Sequence, residues 1–242
     1  MLKYINDVFV PFQVLKPLQV LTTILCSDKS VTFSCVLPVI TSMIKIFFAV
    51  TLDDKPVIAL FKATVVNELT ERFNLDDDDL YQSVLSVASL LDPRFKSVQF
   101  LHAGSQADLH AFITTLMQAD TRSERVQQNT EKSALDFLLG EDVDESMHSS
   151  SSGRTNSGEL GRYLAEIQLG RNEDPLTFWR NNETRYMCLA ELAKKYLCIP
   201  ATSASSERTF SATGNIITNR RSLLSAETVR NLAFLNCNIK KK

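Results

Sequence analysis

The sequence predicts a mainly α-helical protein with at most one or two short strands. Three observations lead there. The 242 residues include only 7 glycines and 7 prolines. An average globular chain holds ~12% of these turn formers, and a sandwich or barrel built from hairpins needs them. Apolar residues also recur at three- and four-residue steps, most clearly at Val57, Leu60, Phe61, Val65, Leu69 and Phe73. Helix-start signals complete the pattern, such as Asp174 before Pro175.

Along the chain, apolar runs over 10–50 are interrupted by Pro11, Pro17 and Pro38. A proline inside a helix costs about 3 kcal/mol, so these positions read as breaks or first-turn residues. Val31 to Phe48 fits one buried helix with Pro38 near its start or at a kink, and Ile46 to Val50 also fits a strand. Val57 to Phe73 is an amphipathic helix with Lys62, Asn67, Glu68, Glu71 and Arg72 on its polar side. Asp76 to Asp79 lack the alternation, central glycine and distal glutamate of a calcium loop. They read as cap and first-turn acids for a helix from Leu80 to Leu91, with Leu80, Val84, Val87, Ala88 and Leu91 on one face. Asp92-Pro93 ends it. Leu109 to Met117 is a further helix, and His102 and His110 read as isolated surface or packing residues.

From 121 to 160 the chain turns polar, with an acidic run at 141–145 and four serines at 149–152. Such a segment buries too little surface to offset its ordering entropy. It reads as a flexible linker, with a short helix near Ala134–Leu139, between a helical region at 1–120 and a compact region at 161–242. In the latter, Asp174 and Pro175 open one helix. Arg185 to Leu197 forms a second, with Leu189, Leu192, Ala193, Tyr196 and Leu197 as its stripe. Thr202 or Ser203 caps a third that Gly214 ends. Ser225 caps a last one with Val229, Leu232, Ala233 and Asn236 on one face.

Composition narrows the function classes. At 44% hydrophobic and 22% charged residues, the chain is neither collagen-like, nor a disulfide scaffold, nor wholly disordered. The net charge is −2. Basic residues gather only at Lys194-Lys195, Arg220-Arg221 and Lys240 to Lys242, so no autonomous DNA binding is expected. Cys26, Cys35, Cys188, Cys198 and Cys237 form no C-x-x-C pair and have no histidine nearby. They read as free thiols of a reducing compartment rather than zinc ligands. The longest uncharged run, 15 residues between Lys29 and Lys45, is broken by Pro38 and short of the about 20 a membrane span requires. No secretory pattern opens the chain. A soluble, intracellular protein without membrane contact is expected.

The most informative block is 192–211, Leu-Ala-Lys-Lys-Tyr-Leu-Cys-Ile-Pro-Ala-Thr-Ser-Ala-Ser-Ser-Glu-Arg-Thr-Phe-Ser. It continues through Gly-Asn-Ile-Ile-Thr (214–218) and Arg-Arg-Ser-Leu-Leu (220–224) to Phe-Leu-Asn (234–236). It resembles the C-terminal dimerisation region of hAT-superfamily transposases and of BED zinc-finger proteins derived from them. Leu15-Lys16-Pro17 and Leu90 to Lys96 resemble further blocks of those proteins. Phe178-Trp179 stands where the family often has two tryptophans, and Met187 where it has proline after the tyrosine.

The resemblance implies an RNase H-like catalytic core interrupted by a helical insertion, in which three acids hold two divalent metals. Glu207, in Ser-Glu-Arg-x-Phe-Ser, matches the third acid. The other two belong to strands preceding the insertion. Asp28, Asp53, Asp54 and Asp92 do not sit in such strand contexts. The chain thus reads as an insertion-domain remnant plus the C-terminal helices of that core, not an enzyme, with Glu207 vestigial. Mg2+ or Mn2+ would be relevant only if missing acids were supplied. The resemblance implies a nuclear protein that forms a homodimer, or a heterodimer with related hAT proteins. Trp179, Leu189, Leu192, Tyr196, Phe210, Val229, Leu232 and Phe234 are expected to build its contact and local core. The alternative is a DNA strand-transferase fragment supplying Glu207.

Overall fold

The computed structural model describes residues 2–128, 156–216 and 224–239. Every regular element among them is helical, in accord with the expected class, and Ile46 to Val50 forms no strand. Helix α1 covers Leu2–Leu25 and, unlike the expectation, runs through both Pro11 and Pro17. The ring of Pro17 is buried, and that apolar contact offsets part of the missing N–H bond. After a 3-10 turn at Phe33–Cys35, α2 covers Val36–Ile46. Pro38 lies in its first turn, where a backbone N–H has no intrahelical partner to lose.

Helix α3, Pro56–Phe73, forms where periodicity places it, but its inner face is rotated from the expected one. Val57 and Leu60 are exposed, whereas Lys62 is buried. The cause is the preceding loop. Lys62 Nζ donates to Asp54 Oδ2 at 2.7 Å, Asp54 Oδ1 at 2.9 Å and the Ala49 carbonyl at 3.1 Å. These bonds satisfy a charge that could not otherwise be buried, and they hold the Asp54 carboxyl below its ordinary value. Asn74 closes α3 in the left-handed region at φ 48°, a conformation asparagine tolerates.

The stretch expected as one helix from Leu80 to Leu91 is two elements. A 3-10 turn at Asp78–Gln82 precedes α4, Val84–Leu91. The acids act as caps: Asp77 accepts from the Asp79 N–H at 2.9 Å, and Asp78 and Asp79 occupy the first turn. Ser83 caps α4 by accepting from Ser86 N–H at 3.1 Å. Leu80, Val87, Ala88 and Leu91 are buried as expected, but Val84 is exposed. Leu90, Ser86 and Ser89 are buried too, because α4 is surrounded by α2, the 33–35 turn and the helices at Ala103–Gln128 and Met187–Leu197. Its serines resolve their polarity locally: Ser86 Oγ donates to Leu80 O, and Ser89 Oγ to Ser34 O and Leu85 O.

Helix α5 covers Ala103–Gln128, with Leu109, Ile113 and Met117 fully buried. Helix α6 covers Asn156–Ala165. Both ends of the expected 121–160 linker are therefore helical, and Glu159 and Leu160 are buried. The carboxylate of Glu159 accepts from Leu189 N–H at 2.9 Å, which ties α6 to the start of a later helix. The expected short helix near Ala134–Leu139 lies outside the described residues. The remaining elements are α7, Pro175–Asn182; α8, Met187–Leu197; α9, Ala204–Ile216; and α10, Ala226–Asn238. One buried cluster draws Val31 and Leu37, Val87 to Leu91, Leu109 to Met117, and Leu160 to Leu197 together. Residues on either side of the 121–160 segment thus share one core. Each large apolar side chain removed from water there contributes roughly 1.5–3 kcal/mol.

Candidate dimerisation surface

Helices α7 and α8 begin as their residues dictate. Asp174 accepts from the Leu176 and Thr177 N–H groups, both at 3.1 Å, and Pro175 takes the first helical position. Leu189, Leu192, Ala193 and Leu197 of α8 are buried and Tyr196 is half-buried. Trp179 is buried among aromatics, 5.2 Å from the Tyr163 ring and 5.4 Å from that of Phe178. Its indole N–H donates to the Leu91 carbonyl at 2.9 Å. Leu189 and Leu192 thus sit inside the protomer, and Trp179 is buried there apart from a small exposed edge.

The block around Asp92 holds this region in place. Arg94 binds Asp92 through NH2 at 2.7 Å and Nε at 3.0 Å, and also reaches the Val31 carbonyl. Ser34 donates to Asp92 Oδ2 at 2.5 Å. Lys96 Nζ donates to the carbonyls of Tyr163 at 2.7 Å and Glu166 at 2.6 Å, and burial pushes its pKa down. Tyr163 OH donates to Leu90 O at 2.9 Å. The sequence shows Asp92 ending a helix but not the buried network that Arg94, Lys96 and Tyr163 build with it. The available signal was the set of charges in Asp92-Pro-Arg94-Phe-Lys96 directly after an apolar helix. Lys96, His110 and Glu166 also line a polar hollow of about 250 Å3, so His110 is half-buried among polar groups, while His102 is exposed.

Beyond Pro200 the character changes. Thr202 Oγ1 accepts from Ala204 N–H at 3.3 Å at the start of α9, and the helix continues past Gly214 to Ile216 instead of ending there. Nothing within 4 Å opposes a side chain at Gly214, and glycine's cost of ~1 kcal/mol in a helix does not by itself break one. Helix α10 is capped by Ser225, which accepts from Thr228 N–H at 3.2 Å. The two helices pack on one another, with Ala212, Ile216, Val229 and Ala233 half-buried. No described side chain of α9 is buried, and Phe210 and Phe234 are 74% and 65% exposed. Leu232, Leu235 and Ile239 are exposed as well.

Glu207 is in the first turn of α9, exposed, and accepts from Ser203 Oγ at 2.6 Å. Asp28 is the acid that contacts this helix, and it is occupied by Arg208 and Ser205. Those bonds, led by that of Ser205, lower its pKa. Arg208 also donates to Cys26 O at 2.8 Å. Asp54 and Asp92 are paired elsewhere, with Lys62 and Arg94. Among the described residues no three His, Cys, Asp or Glu side chains gather as a metal site. Cys35 is buried, Cys26 and Cys188 are half-buried and Cys198 is exposed, and none of these four is in a disulfide. Among the described residues no helix is long and apolar enough to cross a membrane.

The helical body thus carries a helix pair, α9 and α10, whose large apolar side chains are exposed. Residues 159–239 match the hAT family C-terminal dimerisation region. An AC transposase of Zea mays is 27% identical over 168 residues, which span 61% of this chain and 21% of that protein. An AC9 transposase of Zea mays is likewise 27% identical over 168 residues, 20% of its length. The transcriptional regulator tpeD of Talaromyces stipitatus is 33% identical over 86 residues, 36% of this chain and 10% of the regulator. The chain thus spans about a fifth of the two transposases it matches. Over residues 159–239 the chain is similar to the C-terminal dimerisation region of the hAT family, and over a longer stretch to the two transposases.

Proposed function

We propose that this chain is a dimerisation module of a transposase-derived protein and is not itself a complete strand transferase. The observation that carries the reading is the α9–α10 pair within the matched region. It exposes two phenylalanines and three large aliphatic side chains, and aromatic anchors of this kind dominate stable interfaces. Phe210, Leu232 and Phe234 are the contact residues, Val229 supports their helix, and Trp179, Leu189, Leu192 and Tyr196 build the core beneath. The partner is a second copy or a related hAT protein, in the nucleus, with no autonomous DNA binding and no cofactor. Light scattering coupled to gel filtration on the full chain is expected to give about twice 27.2 kDa at tens of micromolar. Leu232→Asp is expected to give the monomer mass with an unchanged circular dichroism spectrum, which separates loss of contact from loss of fold. A wild-type monomer at those concentrations would overturn the reading.

The relation to transposases supports a second reading, in which Glu207 serves as a metal-binding acid once a longer chain supplies the others. Under the first reading Mn2+ leaves the thermal midpoint of the chain unchanged. A rise of several degrees that Glu207→Gln abolishes would favour the second.

A further inference from the structure

We infer that Phe210 of one copy seats in a groove between α7 and α8 of a second copy, with Glu207 beside it meeting Arg180 on the rim. This rests on the dimerisation reading and adds the surfaces that meet. The groove has a volume of about 360 Å3 and is lined by Trp179, Ala190, Ala193 and Leu197, with Leu176, Arg180, Glu183 and Lys194 at its edge. It is therefore an apolar slot roomy enough for one aromatic ring, and Leu176 is left half in water. Glu207 and Phe210 are three residues apart on α9 and so share a face of that helix.

Charge complementarity selects the occupant. Lys194 on the rim is already held by Glu183 and Glu191, whereas Arg180 forms no ion pair with any described residue. Glu207 has the Ser203 hydroxyl and, among the described residues, no cation. On the rim Glu183 and Lys194 neutralise one another, so the charge left to meet the carboxylate beside the ring is the Arg180 guanidinium. The protomer's own Phe210 is held away from its own slot. Arg208 and Ser205 fasten α9 to Asp28, Arg208 binds Cys26 O, and Ala201 N–H donates to Thr32 Oγ1. Seating within one chain would break those bonds, while a second copy keeps them. In a two-fold dimer the contact is made twice.

The test is the dimer dissociation constant of the full chain, from sedimentation equilibrium over a dilution series. Phe210→Ser is expected to raise Kd about 100-fold or more, as loss of a buried aromatic anchor at two sites requires. Leu176→Asp, at the edge of the slot, is expected to act in the same direction. Arg180→Glu and Glu207→Arg are each expected to raise Kd about tenfold, and the two together to restore it to within about threefold of wild type. A wild-type dimer unmoved by either charge reversal, or a double reversal no better than the singles, would overturn the inference and leave the dimerisation reading standing. A monomeric wild type would overturn both. All four residues are exposed, so unchanged urea midpoints and circular dichroism are expected for every variant.

Discussion

Asp92→Ala is expected to lower the unfolding free energy by about 3–5 kcal/mol, the cost of leaving a buried charge without its partner. Asp92 is fully buried and accepts from Ser34 Oγ, Arg94 N–H and the Arg94 guanidinium. Removing its carboxylate strands Arg94, which is itself almost entirely buried. The loss spreads, because Arg94 also binds Val31 O and accepts from Gln168 through its own carbonyl. One pair therefore connects the 31–35 turn, the end of α4 and the segment after α6. A chain whose total stability falls within about 5–15 kcal/mol is left marginal by such a loss. Urea unfolding at neutral pH measures it. The combination Asp92→Leu with Arg94→Met is expected to recover more than half of the loss, since an apolar replacement leaves no orphaned charge. A change under about 1 kcal/mol for Asp92→Ala would show that the network does not hold the core.

Alkaline solution is the second severe test. Burial pushes the Tyr163 hydroxyl well above 10, helped by the charges of Asp92 and Glu166. Burial also raises Tyr186 to about 12, with Glu166, which accepts its hydroxyl hydrogen bond at 2.8 Å, adding to the shift. Above pH 10 the unfolded tyrosines lose their protons while the folded ones keep theirs, so stability falls as pH rises. Each group costs about 1.4 kcal/mol per pH unit until its folded pKa is reached. Together they remove about 2 kcal/mol between pH 10 and 11, because the unfolded hydroxyls are only half ionised at pH 10. Cys35, raised from 9.0 by burial, adds to the fall from pH 9 upward. Lys96 acts oppositely, because its lowered pKa makes stability rise with pH, but that gain is complete by pH 10.5. Urea midpoints at pH 9, 10 and 11 are expected to drop steeply over the last unit. In Tyr186→Phe the pH-dependent part of the drop is about halved, whatever the variant's baseline stability. An equal slope in that variant would rule out Tyr186 as a source.

These two sites also show where sequence reading reached its limit. Helix starts at Asp77, Asp174 and Ser225 were legible because each cap bonds a backbone N–H two or three residues away. Leu109, Ile113 and Met117 were legible because a four-residue step places them on one line of a helix. The exposure of Phe210, Leu232 and Phe234, against the burial of Trp179, Leu189 and Leu192, was not legible. All six are large and apolar, and nothing in their spacing says which receives a covering element. Lys62 was misplaced for a related reason. Its partners, Asp54 and the Ala49 carbonyl, lie in a loop whose path periodicity does not describe.

By itself the sequence determined a helical chain, the caps that start its helices, and the stretch 192–236 that carries its resemblance to the hAT dimerisation region. Only the tertiary structure decided that residues on both sides of 121–160 share one core, that Asp92 and Arg94 join elements some sixty residues apart, and that α9 is fastened to Asp28 with its phenylalanine outward. The division is physical. Caps and helical periods are set by bonds and contacts within a turn or two, whereas burial of a charge or exposure of a ring depends on distant segments arriving at the same place.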